Sequence, residues 1–183
     1  MNEIKLGCDI KNKEKLLNKI CQLKQFLKNI KEINSILETD EITQKDKNEI
    51  LNYLNNLKKL KSINEIKNII KKINRYIEIT LRHQKAWEDY NELLKDLPKF
   101  TKDKMIKSNK KLCTIYDYIS KELIPKQKKM KNNLQKYNEY NIDKINQFYT
   151  NIEDDYISPT IVNKALSIDT VDGFINYLEE YIL

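Results

Sequence analysis

Two glycines and three prolines in 183 residues leave almost no material for tight turns. Hairpins and sharp reversals draw on both residue types, so a strand-rich fold is excluded and a helical one is expected. Arginine is nearly missing as well: of 34 basic residues only Arg75 and Arg82 are arginine. Bidentate reading of guanine is chiefly an arginine function, so base-specific recognition of nucleic acid is not expected. His83 is the only histidine. That removes the paired Glu-x-x-His ligation of a di-iron bundle, and no Cys/His spacing suits zinc. There is no glycine-rich loop to cradle phosphate. Cys8, Cys21 and Cys113 are odd in number and form no C-x-x-C pair. Reduced thiols are expected, small apolar residues of the interior, with Cys8 exposed near the chain start.

No apolar run approaches the ~18 residues of a membrane span, and the opening MNEIKLGCDI lacks the apolar centre of a signal peptide. An intracellular, cytoplasmic protein is expected. Acidic runs such as Glu88-Asp89, Glu153-Asp154-Asp155 and Glu179-Glu180 read as solvated surface. No enzymatic activity, cofactor, metal, small-molecule substrate or membrane partner is therefore expected.

What is present is enough to fold. Hydrophobic content of 40% with 33% charge supplies a packed interior, and the length suits one ordinary domain. Lysine, asparagine and isoleucine are all inflated, as the codons of an AT-rich genome would make them. From Asp9 to Glu38, Leu16, Ile20, Leu23, Leu27, Ile30 and Leu37 fall at steps of four and three, with Asn34 on the one missing beat. That is a helix with a coiled-coil-like seam, and Leu17, Phe26 and Ile33 widen it enough for several neighbours. Thr39, Asp40 and Thr43 mark a break. Thr43 with Asp46 opens a second helix through Ile50, Leu54, Leu57 and Leu60, and Ser62 with Glu65 repeats the capping pair after a break near Lys61.

The third helix runs to Pro98, about 36 residues or ~54 Å. Thr80 and Gln84 interrupt its seam, and Trp87, Tyr90, Leu94 and Leu97 restart it in a shifted phase around His83, which predicts a change of packing partner. Trp87, the sole tryptophan, is expected to be mostly buried. From Thr101, a stripe of Met105, Leu112, Tyr116, Ile119, Leu123, Met130, Leu134 and Tyr137 continues across Pro125, so the helix is expected to pass through the proline with a kink. After Ile145, Phe148 and Ile152 the composition turns acidic. Residues 151–183 carry seven acids and one lysine, a net of −6 against +13 for the rest. Ser158-Pro159 and Asp169 are read as starts of two short helices, with Gly173 a weakness in the second.

The fold expected is all-α: an elongated antiparallel helical bundle with long coiled-coil-like helices and a short C-terminal helical segment. Residues 1–157 form the bundle and 158–183 an acidic segment packed on it, a single domain overall. On a helical wheel Lys104, Lys107, Lys110, Lys111, Lys121, Lys128, Lys129 and Lys136 share the face opposite the core, and residues 99–136 carry a net of +9. Tyr137, Tyr140, Tyr149, Tyr156, Tyr177 and Tyr181 crowd the last third. The function expected is non-enzymatic binding of a macromolecular partner, a protein, through the long amphipathic helices. The alternative is sequence-independent nucleic-acid binding through the lysine stripe.

Overall fold

The seam of the first helix is the spine of the molecule. A computed structural model describes residues 2–39 and 41–182, with side chains from Ile10 onward; the Cys8 side chain and Asp40 lie outside that description. Helix α1 (Asn2–Leu37) buries Leu16, Ile20, Leu23, Phe26, Leu27, Ile30, Ile33 and Leu37. A stripe that wide has more than one neighbour to cover it. Helix α2 (Gln44–Lys58) lies antiparallel on one side, where Gln22 Oε1 accepts from the Lys61 and Ser62 backbone N–H groups at 3.0 Å each. Helix α6 (Ile142–Asp154) lies antiparallel on another, with Lys13 Nζ donating to the Glu153 carbonyl at 3.0 Å. Every regular element among the described residues is a helix, so the molecule is an all-α helical bundle.

The helix ends follow local chemistry, with three departures from expectation. Thr43 and Asp46 close the reciprocal capping box that opens α2, at 3.0 and 3.1 Å. The second box, Ser62 with Glu65, does not form. Helix α3 (Glu65–Asp96) starts at Asn64 without a side-chain cap, because tertiary donors take the Glu65 carboxylate: Tyr137 Oη donates to it at 3.4 Å and the Val171 N–H at 2.7 Å. Residues 62–64 are thus lost to the turn. The helix has 32 residues, ~48 Å, rather than about 36.

Helix α4 (Lys102–Tyr118) continues through a π turn (Ile119–Leu123) into α5 (Ile124–Gln135), carrying the chain through Pro125. Proline has no N–H and its ring crowds the carbonyl four residues back. The π turn relieves that crowding: the Ile124 N–H reaches back to the Ile119 carbonyl, and exposed Pro125 follows on the widened turn. The expected apolar stripe is buried at Leu112, Ile119, Leu123, Leu134 and Tyr137, but Tyr116 is exposed. α4 has one substantial neighbour, α3, and a single helix covers only a narrow stripe.

Two short helices, α7 (Pro159–Ser167) and α8 (Val171–Tyr181), fold back and bury Val162, Ala165, Val171, Phe174, Ile175 and Leu178 in the same core as α1. Pro159 occupies the first turn of α7 as expected, although Ser158 makes no side-chain cap. The cap of α8 is Thr170, not Asp169: Thr170 Oγ1 accepts from the Gly173 N–H, while Asp169 turns to Asn64 and the Glu65 N–H. Gly173 is therefore no weakness. A Cβ there would lie 2.5 Å from Thr170 Oγ1, so the missing side chain makes room for the cap.

One charged side chain, Lys19, lies in the core. It is 2% exposed, and its Nζ donates to the carbonyls of Ala165, Leu166 and Ile168 at 3.0, 3.2 and 2.5 Å while sitting 4.5 Å above the Phe174 ring. Those carbonyls lie at the C-terminal end of α7, where the helix dipole favours a cation; the Ala165 carbonyl also accepts from the Ile168 N–H, and Lys19 supplies the donor for the other two. Burial pushes the ammonium pKa below its ordinary value, with Asp169 opposing.

Candidate interaction surface

Residues buried in the bundle fall into two groups. The large one joins α1, α2, the first half of α3, the end of α5, and α6 to α8. The second contains only Ile79, Ala86, Ile119 and Leu123, edged by Trp87, Ile115 and Met130. It belongs to the far half of α3 and the helix that returns along it. Beyond residue 79 these two helices form an antiparallel hairpin whose outer parts have each other as their main packing partner. Within α4 only Ser108 and Leu112 are buried.

The junction between the groups is polar. Gln127 Nε2 donates to Thr80 Oγ1 at 3.0 Å, so its Oε1 faces His83 Nδ1 at 2.7 Å. An amide oxygen only accepts, which puts a proton on Nδ1, and Nε2 is buried with no hydrogen-bond partner. Gln84 makes two bonds to the Ile42 backbone, 3.3 Å from its N–H and 3.2 Å to its carbonyl, tying the α1–α2 connection to α3. These residues interrupt the seam because they mark where α3 leaves the main core. The predicted change of packing partner occurs there.

Past the junction, the apolar side of the hairpin faces outward. Trp87 packs edge-on to Tyr90 at 5.3 Å between ring centroids, and both approach Tyr116 at 6.5 Å. Trp87 and Tyr90 are half-buried, and Tyr116 is 52% exposed. The expectation of a mostly buried Trp87 holds short of full burial: it packs against the second group, and its remaining edge stays open because a two-helix hairpin has no third element to lie over it. Leu94, seven residues on and so on the same face of α3, is 47% exposed, and Ile124 is 44% exposed. A cleft of about 760 Å³ opens beside them, lined by Tyr76, His83, Trp87, Ile124, Lys128 and Lys131 among others, with Glu41 and Glu88 on its rim. Ile106 and Tyr118 are further exposed apolar residues of this hairpin.

Charge is distributed as unevenly as apolar surface. Residues 79–136 hold 15 basic and 7 acidic side chains, a net of +8, and the remaining 125 residues hold 19 and 20, a net of −1. Lys104, Lys107, Lys110, Lys111, Lys121, Lys128, Lys129 and Lys136 are all exposed. Three have partners: Lys121 pairs with Asp117 at 3.6 Å, Lys136 with Asp172 at 3.4 Å, and Lys104 lies over the Phe100 ring. Only Lys136 meets the acidic C-terminal segment. That segment sits against the start of α3, and the hairpin tip lies ~48 Å away along the same helix.

The other residues singled out in the sequence do not converge on a chemical site. Cys21 and Cys113 are exposed rather than interior, since each falls outside the face its helix packs. Among the described residues no three His, Cys, Asp or Glu side chains are placed to share a metal ion, and no helix is long and apolar enough to cross a membrane. Tyr137 and Tyr140 are engaged in the fold, donating to Glu65 and Asp172, and Tyr156 is 85% exposed. No protein-family model, curated protein or solved structure matches the chain.

Proposed function

We propose that this is a non-enzymatic interaction protein that docks a protein partner on the outer face of the α3–α4 hairpin. The observation that carries the reading is the aromatic group Trp87, Tyr90 and Tyr116 left part-exposed beside Leu94 and Ile124. Large aromatic side chains in a partly open cleft are the usual anchors of protein interfaces. A helical hairpin with one uncovered apolar side is completed by another helix. Aliphatic residues on the same face favour protein over nucleic acid, whose bases stack on rings but gain little from leucine or isoleucine.

The test compares immobilised wild-type protein with a Trp87→Ala/Tyr116→Ala variant and a Lys107→Glu/Lys111→Glu/Lys128→Glu/Lys129→Glu variant in capture from host lysate. The reading expects a protein retained by the wild type and lost from the first variant, with circular dichroism showing that variant folded. Equal capture by the aromatic variant, or captured material that nuclease removes, would sink it. The second outcome, accompanied by loss from the lysine variant, is what the nucleic-acid alternative expects. Six of the eight stripe lysines without an ionic partner among the described residues are the observation in its favour.

A further inference from the structure

We infer that the partner element is an amphipathic helix with carboxylates along one flank. The inference rests on the docking face just proposed and asks what chemistry fits it. A third helix laid in the groove between α3 and α4 would present apolar residues at i, i+3, i+4 and i+7 to Trp87, Tyr90, Tyr116 and Leu94. Its largest side chain would enter the cleft between Trp87 and Ile124.

Charge then decides the occupant. The hairpin carries +8 and six of its eight stripe lysines have no ionic partner among the described residues, so a second copy of this chain would bring +8 against +8. Like charges facing each other across an interface cost several kcal/mol. An acidic partner gains where a second copy loses. The two flanks of the groove also differ. Residues 79–96 of α3 hold three basic and four acidic side chains, a net of −1, whereas 99–136 hold twelve and three, a net of +9. Glu88 on the α3 side and Lys128 with Lys131 on the α5 side line the same cleft. The partner helix therefore carries its acids on the α4–α5 flank and neutral or basic residues on the other, and this asymmetry fixes its direction. Lys128 and Lys131 line the cleft beside Trp87 and Ile124 and form no ion pair among the described residues, so their attraction is available to an incoming chain.

The probe is a synthetic helical peptide of about 20 residues, long enough for the ~27 Å from Ile106 to Ile124. It carries leucine and phenylalanine at helical spacing and glutamate on one flank. Controls are a scrambled peptide of the same composition, a version with lysine for glutamate, a single-stranded oligonucleotide, and vesicles containing an acidic phospholipid. Trp87 is the only tryptophan, so its emission reports binding directly. At about 0.15 M salt the patterned acidic peptide should bind at least tenfold more tightly than the scrambled and lysine versions. It should weaken about tenfold on a Leu94→Ala/Tyr116→Ala variant, which keeps Trp87. Equal binding of the scrambled peptide would reduce the site to bulk charge and overturn the inference. So would no binding by any peptide, or displacement of the acidic peptide by oligonucleotide or vesicle at lower concentration. Tighter binding of the lysine peptide that the Leu94→Ala/Tyr116→Ala change abolishes would leave the docking face standing and remove the acidic partner. Lysate capture indifferent to Trp87→Ala/Tyr116→Ala would remove both.

Discussion

Replacing Lys19 by methionine isolates one interaction, because the two side chains have similar length and the methionine keeps the packing under Phe174. The change removes three hydrogen bonds to carbonyls and a cation 4.5 Å from an aromatic ring. Of those bonds, the one to Ala165 is buried and the other two are part-buried. The Ala165 carbonyl keeps the Ile168 N–H at 3.3 Å, whereas the Leu166 and Ile168 carbonyls lose their donor, at a cost of about 1–3 kcal/mol for a buried acceptor that water lowers for a part-buried one. Against that stands the relief of no longer desolvating an ammonium group, whose cost is visible in its lowered pKa. The carbonyls win in this balance, since all three ammonium donors are used and the Leu166 and Ile168 carbonyls have no other hydrogen-bond donor among the described residues. A net loss of about 1–3 kcal/mol follows, roughly 2–12 °C in Tm for a chain of this size. Alanine at the same position adds a cavity and should cost more. Thermal and urea unfolding followed by circular dichroism measure both. A methionine variant as stable as the wild type would show that desolvation, not hydrogen bonding, dominates at this site. The lowered pKa fixes a second sign. Between the folded and unfolded pKa values the unfolded chain binds the extra proton, so Lys19 makes the wild type gain stability as pH rises there, and the methionine variant should lack that gain.

The alkaline limb has the opposite origin. Burial, aided by Asp172 and Glu65, raises the pKa of both Tyr137 and Tyr140. Above the ordinary tyrosine pKa of about 10 the unfolded chain loses protons the folded one retains, so stability should fall from there upward. Tyr137→Phe should flatten that fall in urea titrations at several alkaline pH values, and an unchanged slope would refute the assignment. Gly173→Ala should lower stability by about 1–2 kcal/mol despite alanine's better helix propensity, because its Cβ would meet Thr170 Oγ1 at 2.5 Å and displace the α8 cap. A stabilised alanine variant would show that the cap contributes little.

Much of the bundle was legible because amphipathic spacing is a local property. The α1 seam, the capping box at Thr43, the break near Lys61 and passage through Pro125 all follow from residues within a few turns of one another. The failures involve residues far apart in sequence. Glu65 looks like the second half of a capping box until Tyr137 and the Val171 N–H claim it. Asn34 sits in the seam as a missing beat, and only the fold reveals that it donates to the Leu134 carbonyl and Asn138, a hundred residues on. Lys19 did leave a trace: it stands three residues after Leu16, four before Leu23 and seven before Phe26, squarely in the core phase. In a chain with 34 basic residues such a lysine reads as flank.

The hairpin was harder to read because a pattern tells which side of a helix is apolar and not whether anything covers that side. Trp87 restarts a seam in good phase, which describes a buried anchor and an exposed one equally well. The lysine stripe has the same ambiguity, since any amphipathic helix sends its lysines to water. Its position in the fold separates the readings. Codon drift toward lysine acts along the whole gene, yet residues 79–136 hold 15 basic residues in 58 while the other 125 residues hold 19. The excess falls on the element with the least buried core and the most exposed apolar surface. A hairpin stabilised only by its own packing would be favoured by fewer like charges, because twelve lysines against three acids between residues 99 and 136 repel one another along the returning helix. Basic charge concentrated there disfavours the isolated hairpin and favours the hairpin with an acidic chain laid along it.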